Sequence, residues 1–355
     1  MRGFGMTSVG NAAWLDKEKP VAGPYDAIIR PTVLAPCTSD VHALHGGAGE
    51  KFDKILGHEA IGEVVEVGEL VTRFKPGDIV VVPCTTPDWM APGVQGQVSN
   101  AHDWGLMKSF KFVSSKDGAF AEFFHVNDAD ANLALLPEGV APEEALMIVD
   151  MMTTGFSAVE NGRVGFGDTV VVIGIGPVGL MAVAGAKLSG AGRIIVVGTR
   201  PNCVKIAKEY GATDVISYKD GDIVEQILKL VPGGVNTSII AGGNQNTFTQ
   251  AIAMTKEGGV ISNVNFFDIK DTLSMPAYLW GLGMSNKDIR CGFAPGGTVR
   301  MEKLLNMIKY KRVDTSKLIT HRFYGFDKIE EAFKLMEEKP KDLIKPVVFI
   351  DWNDK

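Results

Sequence analysis

The chain has 355 residues, enough for two large domains that each bury a core. Hydrophobic residues make up 45% and charged residues 22%, which is ordinary globular usage and excludes a disordered or collagen-like chain. Lysine and arginine total 36, aspartate and glutamate total 42, and the resulting net charge of −6 comes without a basic run, so nucleic acid is not an expected partner.

The first part of the chain, to about Leu136, predicts mostly β structure. Its short Val- and Ile-rich runs are bounded by Gly, Pro or Asp. These runs are Asp26–Arg30, Ile61–Val67 and Ile79–Pro83. A turn signal at Gly77-Asp78 predicts that the second and third runs, Ile61–Val67 and Ile79–Val82, are neighbours in one sheet.

From about Pro142 onward, apolar runs alternate with helical stretches, a pattern typical of a doubly wound parallel sheet. The predicted strands are Thr169–Ile173, Ile194–Val197, Asp214–Ile216, Thr237–Ala241 and Val260–Val264. The tail predicts helices at Val299–Tyr310 and Lys328–Glu338 and a strand at Pro346–Ile350. We therefore predict an α/β protein in which a Rossmann domain, residues 151–294, is inserted into a mostly-β domain, residues 1–150 and 295–355.

A dinucleotide-binding fingerprint follows the first strand of the predicted parallel sheet. Residues 174–179 read Gly-Ile-Gly-Pro-Val-Gly and stand between a strand and a helix, as this motif requires. Gly174 would make the tight turn, Gly176 would admit a pyrophosphate, and Gly179 would let the helix pack on the strand. The alternative is a glycine-rich turn without a ligand.

The end of the next strand favours NADP over NAD. An NAD enzyme places an acid there for the ribose hydroxyls, but residues 189–208 contain neither Asp nor Glu. Gly198 and Thr199 are neutral, and Arg200 offers a bidentate cation to a 2′-phosphate. Tyr218 could cover the adenosine side. The alternative for Arg200 is a solvated charge at a helix start.

Cys37 and the pair His58-Glu59 are the candidate metal ligands. A thiolate, an imidazole and a carboxylate suit a catalytic zinc that keeps one position open. From spacing alone, Cys37 as an inert buried cysteine and His58 as a turn histidine explain the sequence at least as well.

Ordered motifs resemble those of zinc-dependent medium-chain alcohol dehydrogenases. They are Cys-x-Ser-Asp-x-His at 37–42, Gly-His-Glu-Ala-x-Gly-x-Val at 57–64, Lys-Pro-Gly-Asp at 75–78 and the fingerprint at 174–179. Four further stretches, 82–89, 124–130, 150–156 and 339–348, are similar to the NADP-dependent secondary-alcohol branch of bacteria and archaea.

The resemblance implies that a GroES-like mostly-β catalytic domain accompanies the Rossmann domain. It further implies that Cys37, His58 and Asp150 hold one catalytic zinc, with Glu59 as an alternative ligand or an orienting neighbour. No structural zinc is expected, because Cys84 is the only cysteine in the corresponding region, 84–116. Cys84, Cys203 and Cys291 are expected to be packing residues.

The same resemblance implies roles in proton transfer and in cofactor binding. Ser39 would accept the alcohol proton, and His42 would pass it toward solvent; the alternatives are a helix N-cap for Ser39 and an exposed helix residue for His42. For NADP, Ile175, Pro177 and Val178 would contact the pyrophosphate. The 2′-phosphate end would be held by Gly198, Thr199, Arg200 and Tyr218. The nicotinamide side would be bordered by Asn265, Phe266 and Phe267, and Lys339 would reach the phosphate.

These expectations combine into one predicted function. The protein would oxidise secondary alcohols to ketones reversibly, with NADP and zinc, as an isopropanol dehydrogenase does. The alternatives are a zinc-free NADPH-dependent reductase, a non-catalytic NADP-binding protein, and oxidation of polyols or primary alcohols. Five departures from the branch leave the size of the alcohol open, at 44–54, 90–105, Phe110, Ser157 and Phe293-Ala294.

Assembly and location are expected from weaker signals. The resemblance implies a homotetramer. The four cysteines form no CxxC pair, which favours a reducing, cytoplasmic setting. Residues 1–14 lack the continuous apolar core of a signal peptide, and no apolar stretch reaches the roughly 18 residues of a membrane span, so a soluble protein is expected.

Overall fold

A computed structural model describes residues 1–47, 49, 52–95, 111–268 and 270–353. The chain divides into two compact units. The discontinuous unit comprises Met1–Thr153 and Phe293–Lys355, and the inserted unit comprises Thr154–Gly292. The domain limits predicted from the sequence, at 150/151 and 294/295, lie close to these boundaries.

The strands of the described residues follow the chain in this order: β1 (Arg2–Ser8), β2 (Asn11–Asp16), β3 (Ala27–Leu34), β4 (Lys54–Ile55), β5 (Ala60–Val67), β6 (Ile79–Val82), β7 (Phe124–Val126), β8 (Ala134–Leu135), β9 (Thr169–Ile173), β10 (Arg193–Val197), β11 (Asp214–Ile216), β12 (Val235–Ile240), β13 (Thr255–Asn263), β14 (Asp288–Cys291), β15 (Ile319–Tyr324) and β16 (Lys345–Phe349).

The α-helices are α1 (Thr38–Leu44), α2 (Pro92–Gln95), α3 (Ala129–Asn132), α4 (Pro142–Leu146), α5 (Thr153–Asn161), α6 (Pro177–Leu188), α7 (Pro201–Tyr210), α8 (Ile223–Leu230), α9 (Gln245–Met254), α10 (Thr298–Lys309) and α11 (Ile329–Glu338). A π-helical turn covers Ile148–Met152, and 3-10 turns cover Gly281–Gly283, Thr315–Leu318 and Phe326–Lys328. In the described part of the chain, every helix is too short or too polar to cross a membrane.

The discontinuous unit is built on a seven-stranded sheet in the order β15-β16-β3-β5-β6-β8, with β7 also paired to β3. The predicted neighbours β5 and β6 are confirmed as an antiparallel pair, in which Ala60 lies opposite Val82. Gly77, in the turn before β6, has a φ of +93°, which favours glycine. Strand β16 of the tail pairs antiparallel with β3, so the two ends of the chain share one sheet.

The inserted unit confirms the predicted doubly wound sheet. Its six strands are parallel in the order β11-β10-β9-β12-β13-β14. The chain leaves β9 toward β10 and β11 on one side and returns to β12 and β13 on the other, so the switch point lies beside β9. The carboxyl ends of these strands meet at one edge of the sheet.

Element boundaries differ from the prediction where polar residues continue a regular structure. Strand β13 begins at Thr255 rather than Val260, because the exposed stretch 256–258 extends the strand beyond its apolar part. Helix α6 begins at Pro177, inside the fingerprint rather than after it, since the fixed φ of proline suits the first helical position.

An ion pair at the edge of the inserted unit makes stability depend on pH. The Arg193 guanidinium donates to both carboxylate oxygens of Asp214, each at 2.8 Å, and these bonds lower the pKa of Asp214 to about 2. Because folding lowers this pKa, the ion pair stabilises the protein at pH values above the unfolded pKa of about 4. This stabilisation is lost as the pH falls toward 2.

We therefore expect Asp214→Asn to destabilise the protein by about 1 kcal/mol at pH 7, the scale of a partly exposed pair. The difference from the wild type should shrink between about pH 4 and 2. Urea unfolding at several pH values measures this difference, with Asp220→Asn as the exposed-carboxylate control. A difference that stays constant across the acid range would contradict the assignment.

Candidate metal centre and cofactor site

Cys37 lies where β3 turns into α1. It caps the helix with an extended backbone, at φ −114° and ψ 158°. The backbone N–H of Cys37 donates to Oδ2 of Asp40 at 2.9 Å, which fixes the first turn of the helix. The thiol is therefore held at the end of a central strand by a carboxylate three residues later.

His58 and Glu59 lie immediately before β5, beside Cys37. The preceding Gly57 has a φ of +91°, and a Cβ atom there would come within 2.2 Å of the Phe120 ring. Only glycine fits this turn. The side chains of His58 and Glu59 are almost fully buried, at 2% and 0% exposure.

Asp150 projects from the π-helical turn, a rare conformation that often occurs at functional sites. The other four residues of this turn are buried apolar side chains. Arg300 of α10 secures the end of the turn, since its guanidinium donates to both the hydroxyl and the carbonyl oxygen of Thr153 at 3.1 Å.

These elements bring Cys37, His58, Glu59 and Asp150 together, with one donor atom from each lying within 4.8 Å of the others. Asp150 Oδ2 lies 3.5 Å from both Cys37 Sγ and His58 Nε2, and His58 Nε2 lies 3.9 Å from Glu59 Oε1. Buried carboxylates are costly unless they are paired or bound to a metal. A thiolate, an imidazole and carboxylates are the donors that zinc prefers, so the cluster fits this ion.

Electrostatics in the cluster favours a cation. Burial raises the pKa of the Cys37 thiol, and the charges of Asp150 and Glu59 add to the effect against that of Lys345. Burial, supported by the charge of Asp150, also raises the pKa of Glu59 to about 7 despite the opposing charge of Lys345. A divalent ion would stabilise the deprotonated forms and release these protons.

Asp40 orients the imidazole. Burial alone would lower the pKa of His58, but the Asp40 charge, with hydrogen bonds to Asp150, Asp40 and Cys37, raises it well above its usual value. Asp40 Oδ1 lies 3.0 Å from His58 Nδ1 and accepts the Gly57 N–H at 3.1 Å. With Nδ1 bonded to this carboxylate, Nε2 is the nitrogen that faces the other donors.

Three residues that support this cluster were not predicted from the sequence. Asp40 stood only within the motif at 37–42, although its position three residues after Cys37 was the available signal. Lys345, which donates to Glu59 Oε1 at 2.6 Å, and Arg300 had no local signal. Each contacts a residue more than a hundred positions away, so only the tertiary fold reveals it.

Ser39 lies beside the cluster, with its hydroxyl oxygen 3.2 Å from His58 Nε2. Helix α1 is capped by Cys37, so the alternative that Ser39 is the N-cap is wrong. His42 is exposed on the same helix, one turn further along. Its position is compatible both with a proton relay and with an ordinary surface residue.

The fingerprint has the backbone geometry that its glycines suggested. Gly174 has a φ of +88°, and a Cβ on Gly179 would come within 1.8 Å of the Gly174 carbonyl oxygen. Gly176 caps α6, whose first residue is Pro177. The free N–H groups of this twelve-residue helix therefore begin at the carboxyl edge of the sheet, where they can bind an anion.

Gly198 lies against the side chain of Ile175. A Cβ on Gly198 would lie 2.2 Å from Cγ1 of Ile175, so any larger residue at this position requires the isoleucine side chain to move. A Cβ placed on Gly176 would lie 3.9 Å from Nη2 of Arg200, so the guanidinium lies beside the fingerprint. The Thr199 hydroxyl donates to the Tyr218 hydroxyl at 2.8 Å. The structure therefore gathers the predicted 2′-phosphate residues around the fingerprint.

The remaining predicted residues are dispersed. Asn265, Phe266 and Phe267 follow β13 at the same edge of the sheet as the fingerprint. Lys339 belongs to the discontinuous unit, where it is exposed at the end of α11 with a φ of +47°. Ser157 is buried in α5 and donates to the Thr154 carbonyl at 2.9 Å. Phe110 and residues 96–105 lie outside the described residues.

The cysteine expectations are partly corrected. Cys84 and Cys203 are buried, as expected of packing residues. Cys291 is exposed, so its prediction as a packing residue was wrong. It lies on β14, the edge strand of the parallel sheet, whose side chains are covered on fewer sides than those of central strands.

Two family models match the chain. The alcohol dehydrogenase GroES-like domain matches residues 23–138, and the zinc-binding dehydrogenase matches residues 177–309. The NADP-dependent isopropanol dehydrogenase of Thermoanaerobacter brockii is 57% identical over 99% of this chain and 100% of its own length. That of Clostridium beijerinckii is 55% identical with the same coverage. The chain belongs to the zinc-binding alcohol dehydrogenases.

A solved zinc-binding alcohol dehydrogenase has the same fold over its whole length. The zinc-dependent alcohol dehydrogenase 2 from Streptococcus pneumonia, in its apo form, aligns with a TM-score of 0.89 and 28% identity, covering all of both chains. The predicted fold class, a GroES-like domain with a Rossmann domain, is confirmed, as is the resemblance to this dehydrogenase family.

The role of Asp40 in this zinc-binding alcohol dehydrogenase is testable. Asp40→Asn should weaken zinc binding by about 10- to 100-fold, because the amide no longer fixes the tautomer of His58. Competition with a chelator measures the affinity. Asp78→Asn is the matched control, since Asp78 accepts a backbone N–H in a turn of the same unit. Equal zinc affinities in Asp40→Asn and the wild type would refute this role.

Proposed function

We propose that the protein catalyses the reversible NADP-dependent oxidation of secondary alcohols to ketones, with one catalytic zinc ion per subunit. One observation carries the proposal: four zinc-type donors, two of them almost fully buried, converge in a chain whose relatives at 57% and 55% identity are named NADP-dependent isopropanol dehydrogenases. Those relatives match end to end, so both units contribute to the similarity.

Cys37, His58 and Asp150 are the proposed zinc ligands, and Glu59 is the neighbouring carboxylate. Their mutual distances and burial support this assignment. A zinc ion held by three protein ligands supplies Lewis acidity, which lowers the pKa of an alcohol hydroxyl and polarises a ketone oxygen. Asp40 and the π-helical turn keep two of the ligands in fixed orientations.

Ser39 and His42 are the proposed proton path. The Ser39 hydroxyl oxygen lies 3.2 Å from His58 Nε2, so it would accept the proton of an alcohol bound at the cluster while it passes its own proton on toward His42. His42 follows three residues later on the same helix face and is exposed, so it can exchange that proton with water.

NADP is the proposed cofactor, and it supplies the hydride chemistry. Residues 174–179 at the start of α6 would bind its pyrophosphate. Gly198, Thr199, Arg200 and Tyr218 would bind the 2′-phosphate end, which the bond between Thr199 and Tyr218 supports. Asn265, Phe266 and Phe267 are proposed for the nicotinamide side, and Lys339 for the phosphate.

We also propose a homotetramer in the cytoplasm. The four cysteines are all free thiols, which suits a reducing compartment. Large apolar side chains that are exposed just before the edge strand β14, including Tyr278, Leu282 and Met284, are suited to a subunit contact. Light scattering should give about four times the 38.1 kDa mass of one chain; a monomeric mass would refute the tetramer.

Zinc dependence provides the first test. Oxidation of NADPH with acetone or 2-butanone should stop when a chelator removes the zinc. Cys37→Ala should abolish both zinc binding and turnover while NADP binding persists, because the cofactor residues of 174–218 belong to the other unit. Metal analysis and calorimetric titration measure these two properties.

Cys203→Ala is the matched control for Cys37→Ala, because Cys203 is a buried cysteine of α7 outside the cluster. It should retain both zinc and turnover. Ketone reduction that continues without zinc would overturn the proposed mechanism, and failure of the wild type to reduce either ketone would overturn the proposed substrate class.

Arg200 provides a test of cofactor preference. Arg200→Ala should weaken NADP binding by roughly 10- to 100-fold, the effect of losing a charge-assisted hydrogen bond of about 1.5–3 kcal/mol. NAD binding should change little, because NAD has no 2′-phosphate. Titration with both nucleotides measures the ratio, with Lys208→Ala in the same helix as control. An unchanged ratio would show that Arg200 is only a surface charge.

A further inference from the structure

Lys345 forms a buried ion pair with Glu59. Its Nζ lies 2.6 Å from Glu59 Oε1, and the two side chains are 1% and 0% exposed. Lysine is almost never buried this completely without a partner, because desolvating an ammonium is expensive. The Glu59 carboxylate at this distance is the partner that compensates the desolvated ammonium.

The two carboxylate oxygens of Glu59 have different surroundings. Oε1 is held by the ammonium, whereas Oε2 is buried and has no hydrogen-bond partner among the described residues. Glu59 also belongs to the four-donor cluster. Lys345 therefore competes with any metal ion for this carboxylate and, as a cation, also repels that ion.

Charge counting supports this competition. A zinc ion with one thiolate and two carboxylates has a formal charge of 2 − 3 = −1, and Lys345 brings the sum for these groups to zero. The Asp40 carboxylate behind His58 is compensated separately, by two backbone N–H groups and the imidazole. A neutral sum is the least costly arrangement in a buried site. The ammonium thus balances Glu59 without requiring the carboxylate to bind the metal.

We propose that Lys345 is a positioning residue that holds Glu59 beside the zinc as an ion-paired neighbour and so leaves one coordination position open for substrate. This inference rests on the proposed zinc function. Strand β16 delivers the ammonium, and because β16 pairs with β3, the position of Lys345 is tied to the strand that leads into Cys37.

The rate of zinc release from the holoenzyme into excess chelator tests the proposal. In Lys345→Met, Glu59 loses its cation and becomes a permanent ligand, so zinc release should slow by about tenfold or more, because the ion gains an anionic ligand and no longer faces a neighbouring cation. The kcat for acetone reduction should fall, because the open position is filled, while the KM for NADPH stays constant. Faster or unchanged release would overturn the proposal.

A neutral double variant keeps the test decisive if Lys345→Met fails to fold. Glu59→Gln/Lys345→Met leaves no unpaired buried charge, and thermal unfolding confirms that it is folded. If Glu59 is not a ligand in the wild type, zinc release from the double variant stays within a few-fold of the wild-type rate. Release faster by about tenfold or more would identify Glu59 as a permanent ligand and overturn the proposal.

Lys17→Met is the matched control, because Lys17 pairs with Asp117 at 3.1 Å in the same unit but outside the cluster. Its zinc release should equal that of the wild type, and slowing as large as that in Lys345→Met would also overturn the proposal. A wild-type enzyme that binds no zinc would instead refute the proposed function itself, so the two failures are distinguishable.

Discussion

The cost of burying charge governs the centre of the discontinuous unit. The carboxylates of Asp40 and Glu59 are almost completely removed from solvent, and each carries its own compensation. Asp40 accepts two backbone N–H groups and contacts the imidazole of His58, and Glu59 is paired with Lys345. Three segments, residues 37–40, residues 57–59 and Lys345, must therefore come together before both carboxylates are stable in the interior.

Both units depend on special backbone conformations, but they use them to build different kinds of site. The discontinuous unit uses a glycine turn and a π-helical turn to aim donor atoms at one point. The inserted unit uses glycines to remove side chains, so that a helix N-terminus and a strand end can approach a ligand closely. In one unit the site is made of side chains, and in the other it is made largely of backbone.

The sequence predicted the local parts of this arrangement well, because β9 and the fingerprint are defined by neighbouring residues. Asp150 was accessible only through family resemblance, since nothing local distinguishes it from the other acids of the chain. The pairing of Lys345 with Glu59 depends on β16 joining the sheet of β3, which no periodicity reveals. Cys291 was misjudged because its exposure depends on the order of strands and not on its neighbours in sequence.

The contact between Gly198 and Ile175 couples two positions that an enzyme engineer would otherwise treat as independent. An acid introduced at residue 198 to attract NAD would collide with the isoleucine that lies 2.2 Å from its Cβ position. The side chain of residue 175 would have to move or become smaller at the same time, and that change would affect the phosphate-binding turn itself. Reversal of cofactor preference is therefore expected to work better with replacements at both positions than with a replacement at residue 198 alone.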